Sequence, residues 1–159
     1  MADPSILKGI FLFQELTADQ LKDVAAICHE EEAKLGTHIF KEGDKGDKLY
    51  IILSGEIRIS KQIPGVGEEA LAVLKQGAFF GEMALIDDSE RSADAIVNKS
   101  VKLASISRSE FESLLFTNKD IAYTLLWTFV RTLSERLRET NEKIKAFFAM
   151  TMGFQGPQK

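Results

Sequence analysis

The 159-residue sequence has little of what disulfide frameworks, metal sites and membrane spans require. Its single cysteine, Cys28, excludes an internal disulfide, and its two histidines do not stand at metal-ligand spacing. No apolar run approaches the ~18 residues of a membrane span, and the first residues lack the basic stretch of a signal peptide. We therefore expect a protein of the reducing cytoplasm, with no membrane partner.

The chain also lacks an excess of positive charge. Its 20 Lys and Arg residues stand against 24 Asp and Glu residues, which gives a net charge of −4. This balance excludes bulk coating of nucleic acid and binding to anionic membranes, because both need a basic surface. Hydrophobic residues make up 45% of the chain, which is enough for a packed core, so we expect one folded domain with at most an extension.

Short apolar runs separated by glycines dominate the middle of the chain. The first thirty residues have helical spacing, with a capping box at Thr17 and Gln20. From Gly36 onward, strands are predicted at 38–40, 49–53, 56–61, 70–74, 93–97 and 101–106. Ser54-Gly55 and residues 98–100 are expected to connect separate strands. The predicted fold class is α+β: an antiparallel β-roll, jelly-roll-like, with N-terminal helices and a long C-terminal helix.

The last helix carries a second pattern. Ser107 and Glu110 form a capping box for a helix through Phe116, and Asn118 caps a helix from 119 to 152 that contains no Gly or Pro. Two heptad series recur there, apolar except for the polar Thr140, and we call them the seam: Tyr123, Val130, Leu137 and Ile144, and Leu126, Leu133, Thr140 and Phe147. The seam predicts a parallel two-stranded coiled coil and thus a homodimer. The alternative is a monomer in which an early Phe cluster, made of Ile10, Phe11, Phe13 and Leu16, covers the seam.

The segment from Gly77 to Ala93, GAFFGEMALIDDSERSA, has the chemistry of an anion site. Gly81 opens a turn, and residues 82–85 are predicted to form one helical turn whose free amides can bind an anion. Arg91 adds a planar guanidinium and Ser92 a hydroxyl, both suited to phosphate, while the Glu82 carboxylate suits a sugar hydroxyl. Taken alone, these features also fit a purely structural turn.

The stretch FGEMALIDDSERSA resembles the phosphate-binding cassette of cyclic nucleotide-binding domains, whose usual form is FGE-x-A/G-L followed by R-[ST/A]-A. IFKEGDKGDKLYIILSGEIRI resembles the strands before that cassette, and the resemblance covers roughly residues 6–149. It implies that Arg91 pairs with the cyclic phosphate and that Ser92 and the Ala84 amide add hydrogen bonds. It also implies that Glu82 accepts from the ribose 2′-hydroxyl and that Gly81 lets the backbone come close.

The resemblance also implies a base contact from the last helix. RLRETNEKI resembles the stretch that supplies this contact in bacterial catabolite activators, which makes Thr140 and Asn141 the candidates. Thr140 lies in the seam, where a side chain faces both subunits of a dimer. The expected ligand is cyclic AMP. Cyclic GMP is possible, because Ser92 could also bond a syn guanine.

The sequence departs from larger members of that family. Only nine residues follow Met150, and they include two Gly and one Pro, so we expect neither a helix-turn-helix nor DNA binding. We expect a cyclic nucleotide-binding roll with flanking helices at 1–118, a dimerisation helix at 119–152 and a flexible tail at 153–159. Met1 and the tail favour a complete protein over a fragment.

Two functions remain open. The first is a cyclic nucleotide sensor that regulates an unknown effector protein; the second is a degenerate dimeric scaffold that no longer binds nucleotide. The intact Glu82, Arg91 and Ser92 favour the sensor. No metal is expected, because Asp87-Asp88 lacks a third ligand, and no nucleophile, base and orienting group occur together, so an enzyme is not expected.

Overall fold

Helices occupy both ends of the chain and strands its middle. The computed structural model describes residues 3–153. The helices are α1 (Pro4–Lys8), a 3₁₀ turn (Phe11–Phe13), α2 (Ala18–Ala26), α3 (Met83–Ile86), α4 (Arg108–Thr117) and α5 (Lys119–Met152). The strands are β1 (His29–Ala33), β2 (His38–Phe40), β3 (Lys48–Ile63), β4 (Gly67–Lys75), β5 (Phe79–Phe80) and β6 (Asp94–Ser107). The predicted α+β class is confirmed, while residues 154–159 of the predicted flexible tail lie outside the described residues.

Side-chain caps begin the helices where the sequence predicts them. Thr17 and Gln20 form a capping box at α2, and Ser107 and Glu110 form one at α4. The Asn118 side chain accepts a 3.1 Å hydrogen bond from the Ile121 amide and thereby caps α5. Helix α5 runs for 34 residues, which corresponds to about 51 Å at 1.5 Å per residue.

The sheet is antiparallel, and two of its strands are continuous where the sequence analysis predicted a break. Its order is β1-β6-β3-β4, with β2 on β6 and β5 on β3. The prediction that Ser54-Gly55 connects separate strands is wrong, as is the break at residues 98–100, because β3 and β6 pair with each other along most of their length. Gly55 has φ +88°, and a Cβ there would lie 2.3 Å from the Ser100 carbonyl oxygen. The register shifts on both sides of Gly55, so a bulge bends the two strands together.

Strand β1 was missed by the sequence analysis, whose helical region ended at residue 30, within the strand. Its sequence, HEEEA, has low strand propensity because three glutamates follow one another. Pairing with β6 decides its structure, and cross-strand ion pairs support it: Lys102 lies 2.6 Å from Glu30 and Lys48 lies 3.3 Å from Glu31. Strand β5, only two residues long, was also missed.

Two apolar clusters hold the fold together, one on each face of the sheet. Leu49, Ile51 and Leu53 join the cluster under the helices, whereas Tyr50 and Ile52 point into the roll, as the two-residue period of a strand requires. Apolar and polar residues alternate in EIRISK, which predicts that Ile57 and Ile59 share one face of the strand, and both pack inside the roll. Cys28 is buried under the helices, where burial raises the pKa of its thiol to about 12.

Helix α5 uses one face for the roll and leaves the seam exposed. Its buried residues are Ile121, Leu125, Thr128, Phe129 and Thr132. The seam residues Tyr123, Leu126, Val130, Leu137, Ile144 and Phe147 are 48–67% exposed. The alternative in which the early Phe cluster covers the seam is therefore wrong: Ile10 and Phe13 of that cluster are buried in the core under the helices. Within residues 3–153, no helix is apolar enough over a sufficient length to cross a bilayer.

Candidate functional site

A pocket of about 350 Å³ lies between the segment after β5, strand β4 and the second half of α5. Five of the residues singled out in the sequence line it: Gly81, Glu82, Arg91, Ser92 and Thr140. Asn141 is exposed and does not line it, and Ala84 lies in α3. The volume falls within the usual range for a small-molecule site.

Gly81 makes the close approach of backbone and guanidinium possible. It has φ +78°, a left-handed conformation that glycine adopts without a Cβ penalty. A Cβ at this position would stand 2.6 Å from Arg91 Nη1 and 3.1 Å from the Lys48 carbonyl oxygen. Any other residue would therefore displace the arginine.

Arg91 is buried, and its guanidinium is held by the backbone. Its Nη1 donates to the Gly81 carbonyl at 3.0 Å and its Nη2 to the Lys48 carbonyl at 2.9 Å. The Nε–H is buried and has no acceptor within the described part of the chain. Burial lowers the pKa of Arg91, but the group stays protonated because arginine titrates far above neutral pH. The site thus presents a fixed positive charge with unused N–H donors.

Glu82 supplies the opposite charge, and its partner comes from α5. The residue is only 4% exposed, and its Oε1 accepts a 2.8 Å hydrogen bond from Arg136 Nη1. Arg136 also donates from Nη2 to the Phe79 carbonyl at 2.6 Å, and its Cζ lies 4.9 Å from the centre of the Phe79 ring. Arg136 therefore ties the long helix to the segment that carries Glu82.

The sequence analysis did not identify Arg136 as a site residue. One signal was available: Arg136 stands one turn before Thr140, next to the seam residue Leu137. Residues i and i+4 share a helix face, so a base-contacting Thr140 would bring Arg136 to the same pocket. That signal does not say which acidic residue the arginine meets.

The remaining candidates occupy the rim of the pocket. Ser92 is exposed, and its Oγ lies 3.9 Å from Met83 Sδ. The Thr140 hydroxyl donates to the Arg136 carbonyl at 2.8 Å, which leaves its oxygen able to accept a further hydrogen bond. Lys143, one turn farther along α5, donates from Nζ to the Leu71 carbonyl at 3.0 Å and so connects the helix to β4.

The arrangement is that of a binding site. Fixed donors around Arg91 suit an anion, the Glu82 carboxylate suits a hydroxyl donor, and apolar side chains from Ile59, Leu71 and Leu74 suit a flat, weakly polar group. Residues 3–153 contain no cluster of three or more His, Cys, Asp or Glu that could hold a metal ion.

Comparison with known proteins agrees with the chemistry of this binding site. The family model described as the cyclic nucleotide-binding domain matches residues 30–118. The chain is 32% identical over 135 residues to the Cyclic AMP receptor protein of Thermus thermophilus, which covers 85% of this chain and 61% of that protein. It is 35% identical over 109 residues to a cAMP-dependent protein kinase regulatory subunit of Colletotrichum orbiculare, with 69% of this chain and 27% of that protein covered. The chain thus spans less than two thirds of these curated relatives.

The fold is also similar to solved structures. A cyclic nucleotide-binding domain from Methylobacillus flagellatus superposes with a TM-score of 0.80 at 29% identity, covering 89% of this chain and 80% of that one. The catabolite activator protein of Thermus thermophilus superposes with a TM-score of 0.76 at 28% identity, covering 86% of this chain and 62% of that one.

Proposed function

Because the chain belongs to the cyclic nucleotide-binding domain family, we propose that it is a cyclic AMP sensor that signals through a partner protein. The observation that carries this proposal is the presence of two buried side chains of opposite charge at one pocket, each with its own surroundings. Arg91 is 6% exposed, and it donates to two backbone carbonyls while its Nε–H has no acceptor in the described part of the chain. Glu82 is 4% exposed and pairs with Arg136. A buried charge is costly unless it is paired, so a ligand phosphate accounts for Arg91, and a ribose hydroxyl is a further donor that Glu82 can accept.

Each candidate residue has a role in this proposal. Arg91 binds the cyclic phosphate through its free N–H groups, and Ser92 and the Ala84 amide add donors from the rim and from α3. Glu82 accepts from the ribose 2′-hydroxyl. Gly81 keeps the backbone close enough for both contacts.

Thr140 supports cyclic AMP over cyclic GMP as the ligand. Its hydroxyl proton is directed to the Arg136 carbonyl, so its oxygen faces the pocket as an acceptor. The exocyclic amino group of adenine is a donor, whereas guanine has a carbonyl oxygen at that position and would leave two acceptors facing each other. Asn141 stays a candidate for the same base contact from a second subunit.

A parallel homodimer along the seam is part of the proposal. The exposed apolar residues of α5 repeat with the heptad spacing of a two-stranded coil, and a second copy would cover them. The ribose hydroxyl would share Glu82 with Arg136, so binding would change the contact that ties α5 to the cassette. Two conformations of α5 with different affinities for the nucleotide are what a switch requires.

The output is then a changed position of α5 that an effector protein reads. We propose no catalysis and no sequence-specific DNA binding by these 159 residues, whose net charge is −4. A cytoplasmic location fits the one buried, free thiol of Cys28.

Calorimetric titration tests the proposal. Protein refolded from denaturant to strip bound nucleotide is titrated with cyclic AMP and with cyclic GMP, alongside Arg91→Ala and Arg91→Lys. Cyclic AMP should bind more tightly, and Arg91→Ala should lose about 2–5 kcal/mol of binding free energy. Arg91→Lys should recover only part of the loss, because an ammonium lacks the planar fork. Absence of heat with either nucleotide would favour the degenerate scaffold instead.

A further inference from the structure

We infer that Phe40 is the positioning residue of the phosphate site and acts on the ligand only through Arg91. The inference rests on the proposed function and extends it to a residue that no motif singles out. Phe40 is half-buried at the end of β2 and lines the same pocket. Its aromatic ring, which we call the platform, lies against the face of the Arg91 guanidinium.

The geometry is that of a cation–π contact. The Arg91 Cζ lies 4.1 Å from the centre of the Phe40 ring, much closer than the 5.9 Å that separates it from the Tyr50 ring. At such a distance a guanidinium gains from the negative face of the ring, and more so where water is excluded, as at this buried arginine. The two carbonyl contacts of Arg91 hold its terminal nitrogens. The ring restrains the remaining freedom, which is rotation of the guanidinium plane.

The platform is itself fixed by the fold. Phe40 pairs with Ala95 of β6, and the register of β2 on β6 shifts between His38 and Phe40. The turn that follows β2 then binds the backbone of the arginine: the Gly43 amide donates to the Arg91 carbonyl at 2.9 Å, and the Arg91 amide donates to the Asp44 carbonyl at 2.8 Å. The ring and the guanidinium therefore belong to two segments, the turn after β2 and the segment around Arg91, that are hydrogen-bonded to each other.

Neighbouring rings keep the Phe40 side chain in place. Its centroid lies 6.0 Å from that of Tyr50 and 5.8 Å from that of Phe80, and these two rings stack on each other at 5.2 Å. Contacts of this kind hold a ring in one orientation. A leucine in place of Phe40 would still fill apolar space, but it would offer the guanidinium no π face.

Binding of cyclic AMP to the whole chain tests the inference. Phe40→Leu should weaken binding between about threefold and thirtyfold, the range of a cation–π contact. Phe40→Tyr keeps the π face and should stay within about twofold of wild type. Phe111→Leu is the matched control: it makes the same truncation in a buried ring outside the pocket, so it should lower thermal stability without changing affinity.

A double-mutant cycle separates positioning from a general loss of packing. In an Arg91→Ala background, Phe40→Leu should change affinity by less than about twofold, whereas in a Glu82→Ala background it should keep its full effect. Equal losses in both backgrounds would overturn the inference, as would a folded Phe40→Leu variant that binds like wild type. Absence of binding by wild type would overturn the proposed function together with this inference. The titration of wild type alone distinguishes that outcome from failure of the inference by itself.

Discussion

Substitution of Gly81 by alanine probes the phosphate site through a single methyl group. The added Cβ would lie 2.6 Å from Arg91 Nη1, closer than any unstrained contact, and 3.1 Å from the Lys48 carbonyl oxygen. The backbone carbonyl cannot move without disturbing β3, so the guanidinium must move. The predicted effect is therefore a displaced Arg91 in an otherwise intact roll.

The effect on stability follows from the backbone conformation. Gly81 has φ +78°, and an alanine held in that region costs about 1–2 kcal/mol. Gly77 provides the matched control, because it has φ +88° and its Cβ would meet nothing within 4 Å. Both variants should lose similar stability from strain, which for a chain of this size means a decrease in Tm of about 2–8 °C.

The effect on binding should occur in only one of the two variants. A displaced Arg91 loses at least one hydrogen bond to a charged ligand, worth about 1.5–3 kcal/mol, which corresponds to a roughly tenfold to 150-fold weaker affinity for cyclic AMP. Gly77→Ala leaves the guanidinium in place and should bind as wild type does.

Calorimetry with both variants and thermal denaturation without added nucleotide provide the measurements. The expected result is a loss of stability from strain in both variants, with a further loss in Gly81→Ala from the displaced arginine, and a loss of affinity in Gly81→Ala alone. Equal affinities for Gly81→Ala and Gly77→Ala would show that the position of Arg91 relative to Gly81 does not matter for binding, and the reasoning on this site would be refuted.

Three other variants test separate parts of the structure. Arg136→Ala should lower the free energy of unfolding in urea by about 1.5–3 kcal/mol, because it leaves the buried Glu82 carboxylate without its partner, and adding Glu82→Gln should restore part of the loss. Leu137→Glu should convert the dimer to monomer in light scattering with little change in monomer stability, since the side chain is 61% exposed, while Arg138→Glu should remain dimeric; a monomeric wild type at tens of micromolar would contradict the seam. Thr140→Val should reduce the preference for cyclic AMP over cyclic GMP in paired titrations, and an unchanged ratio would show that its oxygen does not read the base.

Local patterns in the sequence were sufficient for much of the helical structure and for the cassette. Capping boxes at Thr17 and Ser107 depend on residues three positions apart, so they can be read without a fold. The limits of α5 follow from the Asn118 cap and from the long interval without Gly or Pro, and the structure has them at the expected residues. The alternation around Ile57 predicted its burial for the same reason, because the two-residue period is a property of the strand itself.

The tertiary structure alone decided the features that depend on distant pairing. HEEEA becomes strand β1 because β6 supplies its hydrogen bonds and the ion-pair partner Lys102, and β3 continues through Gly55 because β6 bends with it. The seam was visible as a heptad pattern, but its exposure depends on the other face of α5 meeting the roll.

In the candidate site, too, the sequence predicted one part and only the tertiary structure decided the other. The residues Gly81, Glu82 and Arg91 lie within one short segment, so their chemistry is readable from the sequence. The partners that set their geometry come from far along the chain: Arg136 stands 54 residues beyond Glu82, and Phe40 reaches Arg91 from strand β2. Sequence spacing predicts contacts only within a turn or a strand pair, because beyond that range the path of the chain decides which side chains meet.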